Sequence, residues 1–166
     1  MSDSVFKSVG FHSAVETWFR QVFDEPSPPQ VRGWPQIAAG RHTLILSPTG
    51  SGKTLAAFLW AIDDLLRTGL DCDAKDFDRN AGGFHTLYIS PLKALNNDIY
   101  RNLKQPLRGI SGVLRETDVK PPHIRAAVRT GDTPSSERQS MLRRPPHILN
   151  TTPESLYLLL TSERVR

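Results

Sequence analysis

Leu44-Ile45-Leu46-Ser47-Pro48-Thr49-Gly50-Ser51-Gly52-Lys53-Thr54 is the stretch that most limits what this chain can fold into. An apolar, strand-like run enters a glycine-rich loop, the loop closes on Lys-Thr, and an amphipathic segment follows. That order is strand, phosphate-binding loop, helix. Gly50 and Gly52 carry no Cβ, so the backbone can turn sharply and approach an anion closely. The turn is entered through Pro48 and built from Thr49, Gly50, Ser51 and Gly52. Its N–H groups and the positive end of the next helix face the phosphates. Lys53 can place its ammonium on the β- and γ-phosphates, and the Thr54 hydroxyl can ligate Mg²⁺; these two are the candidate catalytic residues. The general pattern begins with Gly, and here that position is Ser47, so the loop is a variant.

The chain has 166 residues, enough for one domain of ordinary size. No apolar run approaches the roughly 18 residues of a membrane span, and the N-terminus lacks a signal-peptide core. The default location is cytoplasmic. Cys72 is the only cysteine and is expected as a free thiol in an acidic loop. Charge is unevenly placed. Residues 1–83 hold eight Lys/Arg against ten Asp/Glu, and residues 84–166 hold thirteen against seven. A basic second half suits a polyanion such as nucleic acid.

Residues 1–10 show no periodicity and are expected as a flexible end. Val15, Trp18, Phe19, Val22 and Phe23 share one helical face, with Ser13 and Glu16 as a capping box. Prolines 26, 28 and 29 end that helix and open the next, which holds Gln30, Trp34 and Ile37 and stops at Gly40. A strand is expected over 42–46. A helix then runs from Lys53 to about Thr68, with Gly69 as its terminator and Asp63-Asp64 on a solvated face. Residues 70–83 read as a surface loop. A second strand is expected over 86–90, with a helix after it that Pro106 limits or kinks. A third strand covers 124–129, followed by a turn at 130–133 and a helix over 134–142 capped by Thr133. A short fourth strand covers 148–150, and Thr152-Pro153 opens a last helix. Four alternations of strand and helix predict an α/β fold with a parallel sheet and right-handed crossovers. In such sheets ligands sit beyond the carboxyl ends of the strands, and the candidate loops all lie there.

Taken together, those loops resemble the first motor domain of a superfamily 2 nucleic-acid helicase, most closely the large helicase-related (Lhr) group of DEAD/H-box-like helicases. Residues 26–30 with Gly33-Trp34-Pro35 resemble the Q-motif region, and residues 47–54 resemble motif I. Ser90-Pro91-Leu92-Lys93-Ala94-Leu95 resembles motif Ia. Thr130-Gly131-Asp132 resembles motif Ib, and Thr151-Thr152-Pro153-Glu154-Ser155-Leu156 resembles the next nucleic-acid motif. The resemblance covers residues 11 to about 160. It implies a RecA-like P-loop NTPase sheet with helices on both faces, using ATP and Mg²⁺. It also implies that Gln30 reads the adenine edge while an upstream aromatic, for which Phe11 is the candidate, stacks on the ring. Pro91, Leu92, Lys93, Ala94, Gly131, Asp132, Thr152, Pro153 and Glu154 are the residues implied to hold the strand. Such contacts go to the backbone and carry no base information.

The sequence holds no D-E-x-H or D-E-x-D, the motif II of this family. The resemblance therefore implies a partial domain over 11–166, truncated before motif II, with an incomplete core at its C-terminal side. The expected partners are a single-stranded or partly duplex nucleic acid, with DNA favoured, and a second motor domain of the same chain. The activity expected of the whole is ATP-driven translocation and unwinding. The alternatives are a translocase that does not unwind and a non-catalytic nucleic-acid-binding fragment.

Overall fold

The computed structural model describes residues 2–73, 76–77, 84–91 and 93–162, with the side chains of 2–4, 93–99 and 101 left aside. Its elements run α1 (Ser2–Val9), α2 (Ser13–Val22), α3 (Pro28–Ala38), α4 (Lys53–Leu70) and β1 (Thr86–Ile89). Then follow α5 (Lys93–Glu116), β2 (Ala126–Arg129), α6 (Ser135–Arg143), β3 (Ile148–Thr151) and α7 (Pro153–Leu160). The three strands form a parallel sheet in the order β1-β3-β2. Ile89 and Arg129 both pair with Thr151, so the strands end level with one another. The last strand in sequence is central and buried along its whole length. This is the expected α/β class, with each parallel pair joined through a helix.

One face of the sheet carries the core. Ile148 and Tyr88 pack with Phe58, Leu59, Ile62 and Leu65 of α4 and with Leu103, Ile110 and Leu114 of α5. On the other face Leu149 is buried, but Leu87 and Ile89 are 43% and 47% exposed, so that cover is incomplete.

Several expectations are corrected by tertiary contacts. Residues 42–46 form no strand. The described sheet offers them no neighbour, and Leu44 and Leu46 are 82% and 84% exposed. A segment without a ladder leaves its N–H and C=O groups to water. Residues 1–10, expected to be loose, contain α1. Its Phe6 is buried, with ring centroids 5.2 Å from Phe19 and 5.4 Å from Trp34. The α2 cap is His12, whose Nδ1 accepts from the Ala14 N–H, and not Ser13. Gly40, at φ 69°, does close α3. Gly69 does not close α4. A Cβ there would fall 2.4 Å from Pro122 Cβ, so this glycine serves a close approach inside the helix. Pro106 does not end α5, which continues to Glu116. Three residues on, Gly109 lets it lie against Trp18, whose ring a Cβ would meet at 2.1 Å. Helix crossing at that distance outweighs the hydrogen bond that a proline removes.

Asp63 is not on a solvated face. It is fully buried, accepting from the His12 N–H at 2.7 Å and from Arg67 Nε at 2.7 Å. Arg67 also donates to the Gly10 carbonyl, so an ion pair between buried Asp63 and half-exposed Arg67 pins the α1–α2 corner onto α4. Asp64 is the exposed member, bonded to His85 Nε2. Within 70–83, Leu70 ends α4 and Phe77 is buried, its ring centroid 4.6 Å from that of His147 at a tilt of 53°; residues 74–75 and 78–83 lie outside the described residues. Cys72 is a free thiol, its pKa pushed up by partial burial and then by Asp76, Asp73 and Asp71. Among the described residues no helix is long and apolar enough to cross a membrane.

Candidate functional site

The direction of α4 decides where the phosphate loop stands. The Phe58 ring lies 5.2 Å from that of Tyr88, near the carboxyl end of β1. Six residues later Asp64 meets His85, just before β1 begins. α4 therefore runs antiparallel to β1, and its first residue, Lys53, lies about 7.5 Å beyond Phe58 toward the carboxyl edge. The loops after β1, β2 and β3 share that edge. The Ser90 N–H donates to the Thr151 carbonyl at 3.0 Å, and Thr151 Oγ1 donates to the Arg129 carbonyl at 2.8 Å.

The phosphate loop is shaped by two left-handed glycines, Gly50 at φ 78° and Gly52 at φ 85°. Among the described residues, the N–H groups of Gly50, Ser51, Gly52, Lys53 and Thr54 find no acceptor. They form a row of donors at the start of an 18-residue helix. Ser47 Oγ and Ser51 Oγ are 2.6 Å apart and tie the two ends of the turn. Lys53 Nζ donates to the carbonyls of Ser47 and Pro48 at 2.5 and 2.6 Å, folding back over the loop it closes. A triphosphate fits this donor set: unpaired amides and one ammonium whose present partners are neutral carbonyls. Thr54 is partly exposed and follows Lys53 in the first turn of α4. Beside the loop, Trp18 and Phe23 of the α2 end and Asn102 and Gln105 of α5 line a cavity of about 440 Å³ with Thr49, Gly50 and Gly52 through Leu55.

α3 holds the loop in place. Gln30 is buried. Its Oε1 accepts from the Ser27 N–H at 2.9 Å, and its Nε2 reaches the Gly52 carbonyl at 3.4 Å. A Cβ on Gly52 would lie 2.7 Å from that nitrogen. One turn on, fully buried Trp34 donates from Nε1 to the Ala56 carbonyl at 3.1 Å. Sequence reasoning places Trp34 on the helix and in the Q-motif resemblance, without a partner. The signal that finds its second role is the indole N–H, which needs an acceptor once buried. Asp63 escapes sequence reasoning for the opposite reason, since an Asp-Asp pair on a helix ordinarily faces water.

Phe11 does not join the loop. Its ring sits 5.1 Å from Trp34, 5.6 Å from Phe6 and 5.7 Å from Trp60. With 8% of its surface exposed it is a packing residue of the aromatic cluster, which corrects the expected stacking role.

The strand loops come together differently. Pro91 is exposed at the edge, while Leu92 and the side chains of Lys93 and Ala94 lie outside the described residues. At 130–133 the Thr133 hydroxyl accepts from the Thr130 N–H at 2.9 Å instead of capping α6, whose cap is Pro134. Arg138 then braces the turn, donating to the Thr133 and Gly131 carbonyls at 2.7 and 2.8 Å. Asp132 and Gly131 are exposed there. Arg129 beside them has its pKa lowered by burial and then by the positive charge of Arg138. At the third loop Thr152 caps α7 by accepting from the Ser155 N–H at 3.3 Å, with Pro153 in the first turn and Glu154 exposed beside it.

Comparison with known proteins places this geometry. The DEAD/DEAH box helicase family profile matches residues 27–166. The chain is similar to the "Lhr helicase/ probable uracil glycosylase" of Mycolicibacterium smegmatis, at 47% identity over 92% of this chain and 10% of that protein. It is equally similar to the "ATP-dependent helicase Lhr-Core" of Methanocaldococcus jannaschii, at 47% identity over 90% of this chain and 17% of the relative. The chain thus spans 10% to 17% of the length of these relatives. Among solved structures, Mycobacterium smegmatis helicase Lhr bound to ssDNA and AMP-PNP superposes with a TM-score of 0.82 at 45% identity, over 93% of this chain and 18% of that one. The RNA helicase Prp28 of Chaetomium thermophilum shares the fold, with a TM-score of 0.67 at 20% identity, over 92% of this chain and 33% of that one.

Proposed function

This chain belongs to the DEAD/DEAH box helicase family, and on that footing we propose that it is the ATP-binding part of an ATP-dependent nucleic-acid motor of the Lhr type. ATP enters with its phosphates on the amides of Gly50 through Thr54. Lys53 turns from the Ser47 and Pro48 carbonyls to the β- and γ-phosphates, and Thr54 contributes its hydroxyl to Mg²⁺. Gln30 offers an amide, donor and acceptor together, to the adenine edge. A single strand, DNA by preference, lies across the loops at Pro91–Ala94, Gly131–Asp132 and Thr152–Glu154. A cytoplasmic location fits this role.

The observation that carries the proposal is the row of acceptorless N–H groups at the edge where the strand loops gather. Because the sequence contains no D-E-x-H, this chain by itself is expected to bind nucleotide without turning it over. Hydrolysis and translocation belong to a longer motor with a second domain.

The test is titration of the chain with a fluorescent ATP analogue and Mg²⁺, for the wild type and Gln30→Ala. Saturable binding with a preference for adenine over guanine, lost in Gln30→Ala, is the expected result. Binding without base preference removes the adenine-reading role, and absence of binding removes the proposal.

A further inference from the structure

The positive excess of the second half is concentrated away from the edge where the strand loops gather. A groove of about 680 Å³ opens beside the start of β2, at the amino end of the sheet. Lys104, Arg108, Arg115, His123, Arg125 and Arg144 line it, and Glu137 is the one acid among the lining residues. On α5 the residues Lys104, Arg108, Ser111 and Arg115 are spaced four, three and four apart. That spacing keeps them on one helical face, over about 16 Å.

Both walls are held in place. Tyr100 donates from its hydroxyl to the Ala126 carbonyl at 3.2 Å, joining α5 to β2. Its ring carries Lys104 Nζ, 4.3 Å from the centroid. Across the groove, Arg125 donates to the Pro145 carbonyl at 3.0 Å, which fixes its guanidinium. The apolar surface of the floor comes from half-buried Leu107, Pro122, Ile124 and Met141, with Ile62, Leu66 and Ile110 buried beneath it.

We infer that this groove is a second polyanion site, one that takes a stretch of single-stranded nucleic acid running on from the carboxyl edge. The inference rests on the strand reading of the three loops. Cationic walls suit the phosphates, and an apolar floor suits bases and sugars, which a duplex keeps stacked inside and a single strand exposes. The distance fits as well, since β2 has four residues and separates groove and edge by about 13 Å. An acidic peptide adding as a strand is disfavoured by the edge of β2. Arg125 faces β3 through its carbonyl, so the carbonyls of Ala126 and Val128 face outward. Those two already accept from Tyr100 and, at 3.5 Å, from Thr133 Oγ1.

The experiment compares fluorescein-labelled oligo-dT of about 6 and about 20 nucleotides, titrated at several salt concentrations against the whole chain. The variant is Lys104→Gln/Arg108→Gln/Arg115→Gln, with a circular-dichroism melt to establish folding. For the long strand, affinity should fall about tenfold or more, and the slope of log K against log salt should shrink by about two, from three lost phosphate contacts. The short strand, held at the carboxyl edge, should bind the variant as it binds the wild type. An unchanged slope for the long strand overturns the inference, as does an equal loss for both lengths. Poly-glutamate displacing the long strand from the wild type but not from the variant supports a cationic groove. Poly-glutamate binding there while oligo-dT does not overturns the assignment to nucleic acid. Should the triple variant melt early, Arg108→Gln and Arg108→Lys replace it, and only the charge-removing change should lower the slope, by about one. Wild type that binds neither length contradicts the strand reading itself, a different failure.

Discussion

At the phosphate loop the N–H groups from Gly50 to Thr54 have no acceptor among the described residues. At the turn after β2 the N–H of Thr130 is taken by Thr133 Oγ1, and that of Asp132 reaches Thr130 Oγ1 at 3.4 Å. The two loops stand at the same edge and use their main chains in opposite ways. The first is completed by something it binds, with Lys53 folded over it meanwhile. The second is complete already, braced by Arg138 through two carbonyls. Thr152 behaves like the second, spending its hydroxyl on the first turn of α7. Of these three loops, the amide cradle is a property of the first alone. If the other two loops hold a strand as proposed, they do so without a free row of amides.

Substitutions can break or sharpen this contrast. Lys53→Ala should have the largest effect. It removes the one ammonium aimed at the loop, worth about 1.5–3 kcal/mol as a charge-assisted contact. Affinity for a fluorescent ATP analogue should fall about tenfold to hundredfold, with strand binding little changed. Gly52→Ala comes next. The backbone there has φ 85° and the new Cβ would press on Gln30 Nε2, so stability should drop by about 1–3 kcal/mol in a denaturant melt, with nucleotide affinity falling alongside. Gly50→Ala, at φ 78° with open space around it, should cost less, about 1 kcal/mol. If the two cost the same, contact between α3 and the loop is not what constrains Gly52. Thr133→Val should lower stability by about 1 kcal/mol and weaken oligonucleotide binding while leaving nucleotide affinity intact, because it strips the acceptor from Thr130 N–H. Thr152→Ala should be the mildest, a lost cap of about 1 kcal/mol or less, read as a small shift of the melting midpoint.

Much of this molecule is legible in its residues. The three strands of the sheet, the stripe of α4, the proline start of α3 and the glycine stop at Gly40 all follow from local rules of spacing and turn chemistry. The contact of Gln30 with the Gly52 carbonyl does not follow from them, since the resemblance assigns Gln30 to the adenine edge alone. What is not legible is decided by partners far away in sequence. Pro106 reads as a limit or a kink, yet α5 continues past it to Glu116, with Gly109 against Trp18. Gly69 reads as a terminator until Pro122 is seen beside it. Asp63 reads as solvated until the His12 amide and Arg67 close around it. Residues 42–46 read as a strand because they are apolar and precede the loop, yet a strand also needs a neighbour, which no local pattern supplies. Phe11 reads as a stacking ring by analogy, and the aromatic cluster of Phe6, Trp34 and Trp60 claims it.

The most direct test of the central claim is an amide-by-amide NMR titration of the ¹⁵N-labelled chain with a non-hydrolysable ATP analogue and Mg²⁺. The N–H signals of Gly50 through Thr54 should move furthest, saturating together, while those of Thr130 and Ser155 stay nearly still. If the analogue saturates the chain and the loop amides keep their positions, the donors at the start of α4 are not the phosphate site, and the triphosphate is held elsewhere on the molecule.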